Sequence, residues 1–155
     1  ARATGERIDC APGVMFVCAD NTSGTGDETG QYSGTSGMNR AFLDRMAARV
    51  FVGYMERAKE KAVLAARAGL PEPVASLLVD FASRTRSAAR NGDMAHALGF
   101  RRLEAWAGLI GQGLPSADAF GMTCLAGEAP DDEETLRQMA TAHLDHAAID
   151  SALAA

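Results

Sequence analysis

Residues 14–54 read VMFVCADNTSGTGDETGQYSGTSGMNRAFLDRMAARVFVGY, and this stretch decides how the rest of the chain is understood. An apolar run over residues 14–19 stops at Asp20 and Asn21. Consecutive apolar residues without alternation predict a strand covered on both faces, the kind found in a parallel sheet flanked by helices. A second run, residues 49–55, has the same character. Two strands do not make a stable buried sheet alone. Either they pair unusually or the remaining strands lie outside this chain. Between the runs, Gly24, Gly26, Gly30, Gly34 and Gly37 punctuate a long loop. Such loops are uncommon inside compact domains and often functional, although the composition fits a plain surface loop equally well. No Gly-Lys-Ser/Thr triplet follows the glycines, so this is not a phosphate-cradling P-loop, and the spacing also fails a dinucleotide fingerprint.

After the loop, residues 38–48 predict a short helix with Met38, Phe42, Leu43 and Met46 on one side. Beyond Tyr54 the pattern turns helical and stays so. Residues 56–68 are rich in good helix formers, with Gly69 to cap the end and Pro71 and Pro73 to prevent continuation. In the next helix Val74, Leu77, Leu78, Phe81 and Ala88 form an apolar stripe, and Arg84, Arg86 and Arg90 lie toward the C-terminal end, where the dipole favours cations. Residues 93–99 read as a connector. Leu103, Trp106, Ala107 and Ile110 give residues 101–112 a helical repeat. A short helix follows over residues 115–125. The last helix is predicted to start at Asp131, with Glu134 completing a capping box, and to run through Ala147 with Leu136, Met139, Ala140, His143 and Leu144 on its apolar face. The acidic run at residues 131–134 is then helix chemistry and not a metal site.

The bulk properties bound the function. At 155 residues with 47% apolar content, the chain suffices for one domain with a real core or for a piece of a larger one. A net charge of −5 argues against holding nucleic acid mainly by charge. No apolar run approaches the roughly 20 residues that cross a bilayer, and residues 1–13 lack the apolar centre of a secretory signal. Three widely spaced cysteines, Cys10, Cys18 and Cys124, give neither a disulfide framework nor a zinc pattern. Cys18, inside an apolar run, reads as a buried reduced thiol, and a cytoplasmic location fits best. The chain opens at Ala1 without Met, as a processed chain or a segment of a longer one would.

Six residues stand out chemically. Asn21 follows a predicted buried strand, where open parallel sheets bind ligands, and its amide can orient a water or bond a phosphate oxygen. Arg45 can stabilise a transferring phosphoryl group, including one held by a neighbouring subunit; its plain alternative is a surface arginine paired with Asp44 or Glu56. Arg101 and Arg102 begin a helix, where the dipole slightly disfavours cations, which suggests an anionic partner. His143 and His146 have the spacing of two metal ligands on one helix face, but no second ligand cluster accompanies them, so no metal is assigned.

Asn21-Thr22, Gly26-Asp27, Gly30, Tyr32, Gly34-Thr35, Asn39 and Leu43-Asp44-Arg45 together resemble the AAA+ ATPases of the MoxR-like and dynein-related group, including the ATPase subunit of cobaltochelatase and its phage relatives. The match is specific over residues 21–45 and weaker through the rest. The resemblance implies that Asn21 is the sensor-1 residue near the γ-phosphate and that Arg45 is the arginine finger reaching a neighbour's nucleotide. It implies an α/β fold: residues 1–55 as the C-terminal strands of a P-loop NTPase (AAA+) parallel sheet, and residues 56–155 as a mainly α-helical lid subdomain with an extension. Arg101 would be the sensor-2 arginine. The usual Ser-Pro-Arg is replaced here by Gly99-Phe100-Arg101-Arg102, which leaves Arg101 and Arg102 both open for that role.

The lysine loop and acidic strand that hold Mg-ATP in that group have no counterpart in residues 1–155. The implied parent protein binds and hydrolyses ATP with Mg in a ring, expected to be a hexamer, and remodels a partner. A metal (cobalt) chelatase subunit and a von Willebrand-type adaptor are the implied partners, and this chain alone would be inactive. The alternative is a non-enzymatic helical interaction module lacking its own nucleotide cradle. A small metal-binding helical protein using His143 and His146 is a third reading.

Overall fold

The computed structural model describes residues 9–19 and 37–154, and the chain divides into two units, Ala1–Arg49 and Val50–Ala155. Asn21 and the glycine-rich loop that carries most of the resemblance lie outside the described residues.

The expected α/β fold is corrected here. Among the described residues there is no strand, and the regular structure is entirely helical. In the first unit Met15, Phe16 and Val17 are exposed; in the second so are Val50, Phe51 and Val52, each more than 80%. The physical reason is pairing. A run of apolar side chains becomes a strand only when a neighbouring backbone accepts from its N–H groups and donates to its C=O groups, and no described segment does so. Cys18, expected to be buried, is exposed for the same reason.

The first unit contains α1 (Arg40–Leu43), capped by Asn39, whose Oδ1 accepts from the Ala41 amide at 2.8 Å. The helix predicted over residues 38–48 shrinks to this turn. The Arg45 and Met46 amides reach back to Phe42 and Leu43, three residues away, in the tighter 3₁₀ manner. The Ala41 carbonyl, which a continuing helix would have used, is taken by the Arg45 side chain at 2.9 Å.

In the second unit, α2 (Arg57–Ala68) and α3 (Glu72–Asn91) form a helical hairpin, each ended by a glycine in the left-handed region, Gly69 and Gly92. There follow α4 (Phe100–Gly111), α5 (Ser116–Phe120), a π-helical turn (Gly121–Leu125), α6 (Pro130–His143) and α7 (His146–Leu153). Helix α4 packs on α2, α3 and α5; α6 lies against α3; α7 closes on α5. Phe81, Trp106 and Phe120 meet at the centre with ring centroids 5.1–6.0 Å apart and no two rings parallel. Such contacts add about 0.5–1.5 kcal/mol per pair beyond the area buried. Leu103, Trp106, Ala107 and Ile110 are all buried, as their spacing predicts. On α3 the buried face is Val74, Leu78, Phe81, Ala82, Thr85 and Arg86, while Leu77 is half exposed.

The last predicted helix is two helices. Leu144 adopts an extended conformation, and Asp145 starts α7 by accepting from the Ala148 amide at 3.0 Å. The start of α6 also differs from the predicted capping box: its N-cap is Ala129 with Pro130 in the first turn, and no side chain caps it. Among the described residues no helix is long and apolar enough to cross a membrane.

Candidate functional site

The front of α4 is where the sequence placed two candidate arginines, and its geometry is set by neighbouring helices. Gly99 is the N-cap and offers no side chain, and the first turn contains no acid. The unpaired amides of a helix start carry positive charge, so cations at this position are disfavoured by about 0.3–1 kcal/mol unless an anion compensates. Arg102 has its anion. It pairs with Glu128, whose carboxylate side chain is almost wholly buried. Arg101 is exposed and has no ion-pair or hydrogen-bonded partner among the described residues. Adjacent positions therefore divide into one committed arginine and one available arginine.

The connector leading into α4 is held by side chains at three residues. Asp132 accepts from the Ala95 amide at 2.8 Å and from the His96 amide at 3.0 Å. Thr85 Oγ1 accepts from the Leu98 amide at 3.1 Å, and its hydroxyl donates to the Ala82 carbonyl at 2.9 Å. Arg86 Nε donates to the Leu98 carbonyl at 3.1 Å. The same guanidinium forms a bidentate pair with Glu60, 2.7 Å on each arm, and the Tyr54 ring covers it at 4.1 Å. Both charges are buried, Arg86 at 5% exposure and Glu60 at 1%.

Sequence reasoning grouped Arg86 with Arg84 and Arg90 as cations favoured by the dipole at the C-terminal end of α3, and passed over Glu60. The signal was present in the spacing. Residues 78, 81, 82, 85 and 86 share one face of a helix, so Arg86 continues the apolar stripe. Glu60 likewise sits one turn before the buried Leu64. A lone arginine and a lone glutamate on buried faces of consecutive helices point to each other.

Arg45 lies in the first unit, exposed, with its guanidinium on the Ala41 carbonyl and no carboxylate partner among the described residues. Within the described residues of that unit the surface pair with Asp44 is not formed. Asn21 lies outside the described residues.

Two further clusters resemble chemistry without performing it. His96, Glu128 and Asp132 bring one ligand atom each within 4.8 Å of one another. Glu128 is already paired with Arg102, and Asp132 already accepts from two amides and faces His96 Nδ1 at 3.3 Å. Ser116 Oγ stands 2.9 Å from His146 Nδ1, and Asp150 accepts from the Ser116 amide at 2.7 Å. That serine is fully buried, and the carboxylate holds backbone and not imidazole, so the arrangement fastens α7 to α5. His143 and His146, predicted on one helix face, sit on α6 and α7 respectively. Burial between Trp106 and Phe120 pushes the His146 imidazole below its ordinary value, against the opposing pull of Asp150 and Asp145.

Residues 60–145 match the family described as CbbQ/NirQ/NorQ C-terminal. A curated relative, the aerobic cobaltochelatase subunit CobS from Sinorhizobium sp, is 33% identical over 101 residues. The match covers 62% of this chain and 30% of that protein, so the chain spans only part of the length of the curated relative it matches. The family segment begins inside α2 and ends just beyond α6, and so contains the Glu60–Arg86 pair, the connector and both arginines of α4. By this match the chain belongs to the CbbQ/NirQ/NorQ C-terminal family, in agreement with its resemblance to the MoxR-like AAA+ group.

Proposed function

We propose that this chain is the C-terminal part of a ring-forming AAA+ ATPase that binds and hydrolyses ATP with Mg and remodels a partner complex. The cobaltochelatase relative makes a metal chelatase one candidate partner, with a von Willebrand-type adaptor as another. In this reading the protein works in the cytoplasm as a hexamer. Asn21 positions the attacking water. Arg45 reaches the neighbouring subunit's nucleotide. The second unit is the helical lid and presents a sensor arginine to the phosphates of its own subunit.

The observation that carries the reading is the unequal pair at the front of α4. Arg102 is neutralised by Glu128, whereas Arg101 is exposed at a helix start that disfavours it. A phosphate arriving there would supply the missing anion. Arg101 is therefore the sensor-2 group, and Arg102 holds the loop before α6. Phosphoryl transfer needs such charges positioned ahead of the reaction, with little covalent chemistry from the protein.

The test uses the full-length ATPase that carries this segment. Arg45→Ala is expected to abolish hydrolysis and leave ATP binding largely intact. Arg101→Ala should lower kcat/KM at least ~10-fold, a loss of about 1.4 kcal/mol of transition-state stabilisation, while Arg102→Ala should act on stability more than on turnover. Near-normal turnover in both Arg45→Ala and Arg101→Ala would remove the nucleotide reading. It would favour a helical interaction module, which the lack of a Gly-Lys-Ser/Thr loop in residues 1–155 also suits.

A further inference from the structure

We propose that Arg86 is a positioning residue: its buried guanidinium fixes the backbone that enters α4 and thereby sets where Arg101 presents its charge. The functional half of this statement rests on the reading of Arg101 given above; the structural half does not.

Leu98 lies three residues before Arg101 and is 1% exposed, so water does not serve its polar groups. Neither group is served by α4. The amide goes to Thr85 and the carbonyl to Arg86, neighbours on one face of α3. Gripping both polar groups of one peptide residue from one rigid helix fixes its position and its orientation together. Only Gly99 and Phe100 separate that grip from Arg101, and Gly99 adds no side chain that could do the same work.

A purely stabilising role explains the pair poorly. Two charges taken out of water lose hydration that their mutual attraction only roughly restores, and apolar residues of similar volume often serve as well or better. The guanidinium does what an apolar side chain cannot. Two nitrogens lock onto Glu60 at 2.7 Å each, Tyr54 covers a face, and the remaining Nε is left aimed at one carbonyl. A planar fork held on two sides makes the third bond directional, which a lysine at this position does not reproduce.

The experiment compares four forms of the full-length ATPase: wild type, Arg101→Ala, the double variant Arg86→Met/Glu60→Leu, and the combination of all three changes. Thr85→Val serves as an independent perturbation of the Leu98 amide that leaves the ion pair intact. Thermal stability, ATP kinetics and hydrogen exchange of residues 95–103 are measured on each. The double variant removes both charges together and is expected to keep its melting temperature within a few degrees. Exchange over residues 95–103 should nevertheless rise at least ~10-fold, and kcat/KM should fall in the same direction as in Arg101→Ala. Adding Arg101→Ala to the double variant should then cost little more, because interacting sites are not additive. Unchanged exchange in both the double variant and Thr85→Val overturns the proposal, whatever Arg101 does. Full additivity of the kinetic losses also overturns it, since Arg86 would then act independently of Arg101. A silent Arg101→Ala accompanied by raised exchange in the double variant overturns instead the nucleotide reading of Arg101.

Discussion

Gly111 ends α4 against the C-terminal end of α2, and replacing it by alanine sets two effects of known size against each other. Alanine is favoured over glycine within a helix by about 0.8–1 kcal/mol, so propensity alone predicts a gain. The structure predicts a loss. A Cβ at this position would stand 2.1 Å from the Ala68 carbonyl oxygen and 3.3 Å from its carbon. Ordinary contact begins near 3.4 Å, so the two helices must separate by about 1.3 Å. The obstacle is backbone in the last residue of α2, just before the Gly69 cap, and it has no rotamer to escape into. Overpacking of this kind costs ~1–3 kcal/mol and sometimes more. We place Gly111→Ala at the upper end of that range, for a net destabilisation of about 1–2 kcal/mol. In a unit of this size that lowers the melting temperature by roughly 4–15 °C. Gly108, one turn earlier on the same helix, supplies the control, because a Cβ there meets nothing within 4 Å. Gly108→Ala should raise stability by up to ~1 kcal/mol. Thermal and urea unfolding of both variants in one buffer decides the matter. A Gly111→Ala protein as stable as Gly108→Ala would refute the close approach of α2 and α4, and with it the packing on which the second unit is built.

Three further outcomes follow from the same structure. Glu60→Gln alone leaves the Arg86 charge buried without its partner and should cost about 3–5 kcal/mol, whereas removing the exposed Arg67–Glu104 pair by Arg67→Ala should cost under ~1 kcal/mol; chemical denaturation giving equal losses would contradict the burial of the Glu60–Arg86 pair. The His146 imidazole is held below its ordinary value of about 6.5 in the folded chain, so the unfolded chain binds more protons just below that pH. The stability contributed by neutral His146 is thus complete above about pH 6.5 and is lost as the pH falls toward the folded value. His146→Asn should flatten the melting-temperature profile in that window, and an unaltered slope would show that the α5–α7 contact does not sense pH. Cys124 is buried, which pushes its thiol up to about 11, so a thiol reagent at neutral pH should label Cys10 and Cys18 in the folded protein and reach Cys124 only after denaturant is added.

The helical half of the architecture was legible because its signals are local. Gly69 after residues 56–68, the i, i+3, i+4, i+7 repeat from Leu103 to Ile110 and Asn91-Gly92 at the end of α3 each lie within a few residues of the boundary they mark. The motif that resembles the MoxR-like AAA+ group was legible for a different reason, being a sequence pattern that needs no coordinates. Several misplaced features depended on partners distant in sequence. Residues 14–19 and 49–55 are apolar enough for strands, but a strand also requires a paired backbone, and periodicity carries no information about that. Asp131 and Glu134 fit a capping box on paper, yet the neighbouring Asp132 is drawn 36 residues back, to the amide of His96.

By itself, then, the sequence marked to within a residue the ends of α2, α3 and α4, and it determined which family the chain belongs to and which arginines are candidates for phosphate chemistry. The tertiary structure alone decided that Arg102 is spent on Glu128 while Arg101 stays exposed, and that Arg86 and Glu60 meet in the core across 26 positions of sequence. Helix propensity and capping act over one or two turns, so a linear string records them. Charge pairing and burial depend on which helices touch, and that is settled only when the apolar faces around Phe81, Trp106 and Phe120 close on one another.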